Sequence, residues 1–247
     1  MGDKELIKQL LHRIKVLESL HYDPRELLGI GCLPKEVSPA FNGQISKQQI
    51  FQRIISEYKL AAVIETGTYT GLTTYYMSEQ LPDTSIHTIE LDRFSYLAAK
   101  ARLECSANVT LYNDSSETAI KDVIRNLCPL NDSTIFWYLD AHWNPYCPLV
   151  DELLFISQLS CRNIIMIDDF LVADDLGYGY DSYEADDGSK MTLSLDYIIE
   201  KNCQLGKLRY YYPLIKSSHD TGSRRGTVIV CSQDLEIETL GLRRPNV

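Results

Sequence analysis

Val63-Ile64-Glu65-Thr66-Gly67-Thr68-Tyr69-Thr70-Gly71 is the stretch whose reading decides the fold. A short apolar run, Leu60–Ile64, feeds a turn holding two glycines, and a helical pattern, Leu72–Glu79, follows. Strand, glycine turn and helix in that order form the opening unit of a ligand-binding α/β sheet, where ligands sit at the carboxyl ends of the strands. Gly67 lets the backbone turn tightly and approach a ligand, and Gly71 lets the helix begin close to the sheet. The loop does not match the dinucleotide fingerprint GxGxxG. It also lacks the GK[ST] ending of a phosphate loop, so no lysine waits for a triphosphate. Glu65, just ahead of the turn, repels a pyrophosphate and suits a ligand that carries positive charge.

Outward from that loop the pattern alternates. The runs Leu60–Ile64, Ser85–Ile89, Val109–Tyr112, Thr134–Leu139 and Asn163–Ile167 read as strands. Between them lie the helical stretches Leu72–Glu79, Phe94–Glu104, Glu117–Leu127 and Leu149–Leu159. Such alternation predicts an α/β fold: a Rossmann-like, mostly parallel, seven-stranded sheet with helices on both faces. A helix at Thr192–Glu200 precedes two more strand-like runs, Lys207–Ile215 and Gly226–Cys231, which read as a final antiparallel hairpin. Upstream, Leu6, Ile7, Leu10, Leu11, Ile14, Leu17 and Leu20 form one apolar helix face, and a Gly/Pro-rich connector follows. Residues 1–45 are therefore read as an N-terminal helical extension that caps the pocket or forms a homodimer, and residues 46–247 as the main domain. A helix restarts at Ser46, where Ser46 and Gln49 have capping-box spacing and Ile50, Ile54 and Ile55 face the core.

Composition narrows the partners. Net charge is −10, so a phosphate backbone and an anionic membrane surface are both poor partners. No apolar run is long enough to span a bilayer, and the N-terminus lacks the apolar core of a signal peptide. Seven scattered cysteines without a CxxC pair read as free thiols of a reducing compartment, which makes the cytoplasm the expected location.

The second strand ends in Thr88-Ile89-Glu90-Leu91-Asp92. Glu90 follows Gly71 by about 20 residues, the offset at which a strand-tip carboxylate takes both ribose hydroxyls. The third ends in Tyr112-Asn113-Asp114-Ser115, which places Asp114 or Ser115 at an adenine edge. ExGxxxG, then IELD, then NDS at three successive strand ends resembles the class I S-adenosylmethionine-dependent methyltransferases, over roughly Leu60 to Val172. Many members have a third glycine where Tyr69 stands; the form with tyrosine there is similar to the metal-dependent catechol and caffeoyl-type O-methyltransferases. The resemblance implies S-adenosylmethionine as cofactor, held by Glu65, Gly67, Thr68, Tyr69, Gly71, Glu90, Asp114, Ser115 and Asp140.

The fourth strand ends in Leu139-Asp140-Ala141-His142-Trp143 and the fifth in Ile167-Asp168-Asp169. Both ends face one crevice, so Asp140, Asp168 and Asp169 come together. Three crowded carboxylates call for a cation between them. Mg²⁺ or another divalent ion fits such hard oxygen ligands. Macrolide-sugar O-methyltransferases and cephalosporin hydroxylase-like proteins carry a similar acidic pair, so the resemblance points to that branch. A metal-bound acceptor hydroxyl would then lose its proton to a base as the methyl moves. Catechol-type enzymes have a lysine shortly after the strand-end Asp; Asn144 occupies that region here. His142 is the candidate base, with Asp140 beside it, or His142 orients a ligand carboxylate instead. Trp143 either walls the pocket or packs in the core.

Val172 to Lys190, rich in Gly, Tyr and Asp, reads as a substrate-gating lid or as an acidic solvated loop. The expected activity is Mg²⁺-assisted O-methylation of a small-molecule acceptor. A hydroxylase-like enzyme of the same branch and a non-catalytic S-adenosylmethionine-binding module are the alternatives, since fold does not fix function. A sugar, a phenol, a peptide side chain and a polyketide hydroxyl all remain open as acceptor.

Overall fold

The computed structural model describes residues 40–127, 132–141, 146–184, 188, 190–200 and 208–245. The N-terminal helix expected at Leu6–Leu20, together with His142, Trp143 and Asn144, lies outside the described residues. The chain enters at the turn Ala40–Gly43 and continues into α1, Ile45–Glu57. Then β1 (Leu60–Thr66), α2 (Leu72–Gln80), β2 (Ser85–Ile89), α3 (Arg93–Arg102), β3 (Val109–Tyr112), α4 (Ser116–Leu127), β4 (Thr134–Leu139), α5 (Leu149–Ser157) and β5 (Arg162–Ile167) alternate without exception. The second half holds a small hairpin, β6 (Ser182–Glu184) and β7 (Lys190–Thr192), then α6 (Leu195–Glu200), β8 (Leu208–Pro213), β9 (Val228–Ser232) and the two-residue β10 (Leu242–Arg243).

The main sheet has eight strands in the order β10-β8-β9-β5-β4-β1-β2-β3. The two-residue edge strand β10 is what raises the count above the seven expected. Pairing is parallel from β3 through β5; β9 then runs antiparallel to both β5 and β8. The chain winds outward from β1 to β3 and returns on the other side of β1 to β4. The carboxyl ends of β1 and β4 therefore flank a topological switch point, the place where such sheets bind ligands.

Strand periodicity decides which side chains reach that point. In β4, Ile135, Trp137 and Leu139 pack under α4, α5 and α6, while Phe136 and Tyr138 face α1 and α2. In β5, Ile165 and Ile167 face the first layer, and Ile164 and Met166 face the second. Carried two residues further, the same alternation turns Asp140 and Asp168 toward the α1 side. In β1, Val63 faces that side as well, so Glu65 follows it.

Helix α1 is held differently from the sequence expectation. Ile50 and Ile54 are buried as expected and Ile55 is half-buried against the same layer. Ser46, however, forms no capping box. Gln44 takes the N-cap position without a side-chain cap, and Ser46 donates its backbone N–H and its hydroxyl to Asp220, at 3.1 and 2.5 Å. The supposed lid is anchored too. Tyr178 is buried and its hydroxyl reaches Asp220 and the Ile215 carbonyl, both at 3.0 Å. Tyr183 is buried in the β6–β7 hairpin, so both tyrosines make core contacts. No helix among the described residues is long and apolar enough to cross a membrane.

Candidate active site

The loop after β1 is built around three left-handed residues. Gly67 has φ +84° and donates its N–H to Ile89 O at 3.0 Å. A Cβ there would run into the backbone carbonyl of Asp140, so only glycine allows β1 and β4 to end this close together. Gly71, φ +80°, opens α2 against Ala99 and Leu103 of α3. Tyr69 has φ +51° and an exposed ring. That left-handed backbone carries a steric cost that a side chain ordinarily avoids. The carboxylate of Glu90 meets that cost, because its Oε2 accepts the Tyr69 N–H at 2.6 Å while its Oε1 accepts the Asp92 N–H at 2.8 Å. Asp92 in turn caps α3 through the N–H groups of Phe94 and Ser95.

Gly67, Glu90, Asp114 and Asp140 come from four different strand ends and line one cavity of about 600 Å³. Its walls also include Ile89, Leu91 and Ala141, which give an apolar slot beside the carboxylates. Asp114 lines this cavity. Ser115 does not: its hydroxyl meets Thr118 at 3.0 Å and its carbonyl starts α4, so Ser116 takes the place beside the cavity. A second cavity of about 310 Å³ shares Gly67, Tyr69 and Asp140 with the first, and adds Asn42, Glu65, Thr68, Thr70, Thr73, Tyr138 and Asp169. The two are therefore adjoining halves of one crevice. Thr68 hydrogen-bonds Thr88 at 2.5 Å and so ties the loop to β2.

Glu65 is fully buried. Its Oε2 accepts from the hydroxyls of Thr74 and Thr88. Burial lifts its carboxyl to about 7, against the pull of those two hydrogen bonds. Glu90 is also pushed up to about 7 by burial, offset by the backbone N–H groups it accepts. Neither glutamate has an ion-pair partner among the described residues.

The three aspartates are arranged otherwise. Asp168 pairs with the ammonium of Lys47, and both side chains are wholly buried. Its other oxygen accepts the Tyr138 hydroxyl at 2.5 Å and is met by the Asn42 amide at 3.5 Å. The Asp169 N–H adds a further donor at 2.7 Å. Asp169, turned aside by a left-handed backbone with φ +54°, pairs with Arg225, which also holds Asp181. Asp140 receives the Tyr138 hydroxyl at 3.3 Å. Burial, then the charges of Asp168 and Asp169, push its carboxyl well above the usual carboxylate range, with Lys47 pulling the other way.

The three residues expected to hold Mg²⁺ already have protein partners. Asp140 and Asp168 do come together at matching strand ends, but the cations that their crowding requires are Lys47 and Arg225. Asp168 has its oxygens engaged by four donors, and Asp169 is committed to arginine. No group of three His, Cys, Asp or Glu side chains among the described residues converges as a metal site. As built, the donor set does not fit a divalent ion. Neither Lys47 nor Tyr138 was singled out from sequence, yet a signal existed: Lys47 lies on the stripe Lys47–Ile50–Phe51–Ile54, and a lysine on a core stripe needs an anion.

No protein-family model matches the chain, and no curated protein sequence matches it. Solved structures do. The N-terminal domain of EvdMO1, determined in the presence of S-adenosylhomocysteine and D-fucose, is 13% identical with a TM-score of 0.50, over 94% of this chain and 97% of that one. The O-methyltransferase TomG from Streptomyces achromogenes, in complex with S-adenosylmethionine, is 13% identical with a TM-score of 0.49, over 90% and 88%. The chain has the Rossmann-like fold of the class I methyltransferases.

Proposed function

We propose that the protein is an S-adenosylmethionine-dependent methyltransferase that acts on a hydroxyl of a small molecule. The observation that carries this reading is the convergence of Gly67, Glu90, Asp114 and Asp140 from four strand ends on one cavity. The adenine fits the slot of Ile89, Leu91 and Ala141 with Asp114 at its edge. The ribose hydroxyls donate to Glu90, and the charged methionine end lies toward Glu65 and Asp140. The adjoining cavity, lined by Asn42, the threonines and Tyr138, takes the acceptor. Its polar, anionic lining suits a neutral or cationic hydroxylated compound better than an acid.

Transfer is a displacement at the methyl carbon. The acceptor oxygen forms the new C–O bond, the C–S bond breaks, and the sulfonium leaves as a neutral thioether. The oxygen's proton passes to a base. Asp140 borders both cavities and, in its ionised form, can take that proton, which makes it the base of this reading. His142, the other candidate, lies outside the described residues. What speaks for a neutral acceptor held by hydrogen bonds rather than by a metal is the engagement of Asp168 and Asp169 by Lys47 and Arg225.

Calorimetric titration tests the reading. S-adenosylmethionine and S-adenosylhomocysteine should both bind in the micromolar range, about −8 kcal/mol. A chain that binds neither is not a methyltransferase. Product mass then separates methylation, which adds a CH₂ unit, from hydroxylation, which adds an oxygen.

A further inference from the structure

We infer that Lys47 is the resident cation of this site, standing where the acidic strand ends call for a divalent metal, and that it makes the site metal-independent. The inference rests on the methyltransferase reading for what the site does, but not for how it is charged. Helix α1 carries Lys47 on its core face, one turn ahead of Ile50 and Phe51. The ammonium is wholly buried and ends on Asp168 Oδ1. An ammonium taken out of water needs compensation, and Asp168 supplies it. The reverse holds as well. With Lys47 gone, Asp168 would face Asp140 and Asp169 as an unpaired buried charge, held near Asp140 through the shared hydroxyl of Tyr138.

The lysine does more than close a fold contact, because its charge reaches the cavities along one short path. Lys47 neutralises Asp168, Asp168 fixes the Tyr138 hydroxyl at 2.5 Å, and that hydroxyl faces Asp140, which borders both cavities. Lys47 is thus a positioning residue. It sets the charge of the aspartate cluster and leaves Asp140 facing the crevice. Arg225 plays the matching part for Asp169 from the far side. Lys47 and Arg225 thus place two built-in positive charges behind the crevice, against Asp168 and against Asp169 with Asp181.

The test is a gain of metal binding. In the full-length protein, Mn²⁺ binding is read by the loss of its free-ion electron paramagnetic resonance signal, with melting temperature followed in parallel. The wild type should leave millimolar Mn²⁺ free and melt identically with Mg²⁺ or with a chelator. Lys47→Gln, which removes the charge and keeps the length, should leave Asp168 without its cation beside Asp140 and bind Mn²⁺ about 100-fold more tightly than the wild type, with a melting point that Mn²⁺ restores. Lys47→Arg should behave as the wild type. Mn²⁺ binding by the wild type that Asp169→Asn abolishes would overturn the inference. So would a folded Lys47→Gln variant that gains no Mn²⁺ affinity. If that variant is unfolded without metal, refolding on Mn²⁺ supports the inference, and failure to refold in the presence of Mn²⁺ counts against it. S-adenosylhomocysteine titrated into the same wild-type sample reports separately on the methyltransferase reading, since loss of cofactor binding leaves the manganese result standing.

Discussion

Two sets of carboxylates meet in this crevice, and they are neutralised in opposite ways. At the end of β5, Asp168 and Asp169 are answered by the chain itself, through Lys47 and Arg225. At the ends of β1 and β2, Glu65 and Glu90 are held only by neutral donors, namely two threonine hydroxyls and two backbone N–H groups. The first pair has its countercharge built into the fold. The second pair is raised to about 7 by burial, poised between forms until something arrives. On the proposed reading, the difference separates groups that hold the site in shape from groups that wait for a ligand, since a carboxylate without a built-in cation is the one left to answer a ligand's hydroxyls and positive charge.

The largest effect should come from breaking the built-in pair. Lys47→Met leaves Asp168 buried and uncompensated, so unfolding free energy should fall by about 3–5 kcal/mol in a denaturant titration. Lys47→Met combined with Asp168→Asn removes both charges and should recover most of that loss. If the double variant is as unstable as the single one, packing rather than charge is what Lys47 provides. Next in size is Gly67→Ala. Its Cβ meets the Asp140 carbonyl in a backbone region that disfavours side chains, which should cost about 2–3 kcal/mol and abolish cofactor binding by closing the shared wall of both cavities. Unchanged affinity for S-adenosylhomocysteine in Gly67→Ala would place the cofactor elsewhere.

The contrast between the two sets also explains what could be read from sequence. The gathering of Glu65, Gly67, Glu90 and Asp114 was legible, because they lie at the ends of strands whose apolar runs announce themselves. Strands β2, β3 and β4 begin and end where their apolar runs do. Asp140 and Asp168 were legible as neighbours for the same reason. What was missing was the countercharge. Lys47 pairs with a residue 121 positions away and Arg225 with one 56 positions away, and no local pattern links them. Only Lys47's place among Ile50, Phe51 and Ile54 hinted at burial. Metal was therefore the natural inference from three aspartates read alone. The left-handed Tyr69 was half-legible: its position is a glycine in many resembling chains, but that a tyrosine takes a left-handed backbone here shows only once Glu90 is seen to hold its N–H. The β6–β7 hairpin escaped notice because three-residue strands leave too short a pattern to count.

On the Glu65 and Glu90 side the effects should be smaller and clearest with cofactor. Glu90→Gln keeps the shape but exchanges one acceptor for a donor, which then faces the N–H of Tyr69 or Asp92 and costs about 1 kcal/mol of unliganded stability. The ribose also loses a charge-assisted hydrogen bond of about 2 kcal/mol, so S-adenosylhomocysteine should bind about 30-fold more weakly. Equal affinity in Glu90→Gln and wild type would remove the ribose from β2.

The smallest effect, and the one that most sharpens the contrast, is with pH. Glu65 ionises near 7 in the folded chain and near 4.5 when unfolded. A carboxyl raised in this way favours the fold while it is protonated. That contribution is fully present below about 4.5 and is lost as pH rises through about 7. The unliganded protein should therefore lose stability from mild acid to mild base. A cationic ligand reverses the trend, because it prefers ionised Glu65, pulls its pKa down and releases a proton on binding. Affinity for S-adenosylmethionine should climb with pH by up to tenfold per unit below about 7 and level off above it, which is about 1.4 kcal/mol per unit. S-adenosylhomocysteine lacks the sulfonium charge and should show a shallower climb. The comparison is best made in Glu90→Gln, where Glu65 titrates without its neighbour. Parallel curves for the two ligands would mean that the sulfonium is balanced at the aspartate cluster and not by Glu65.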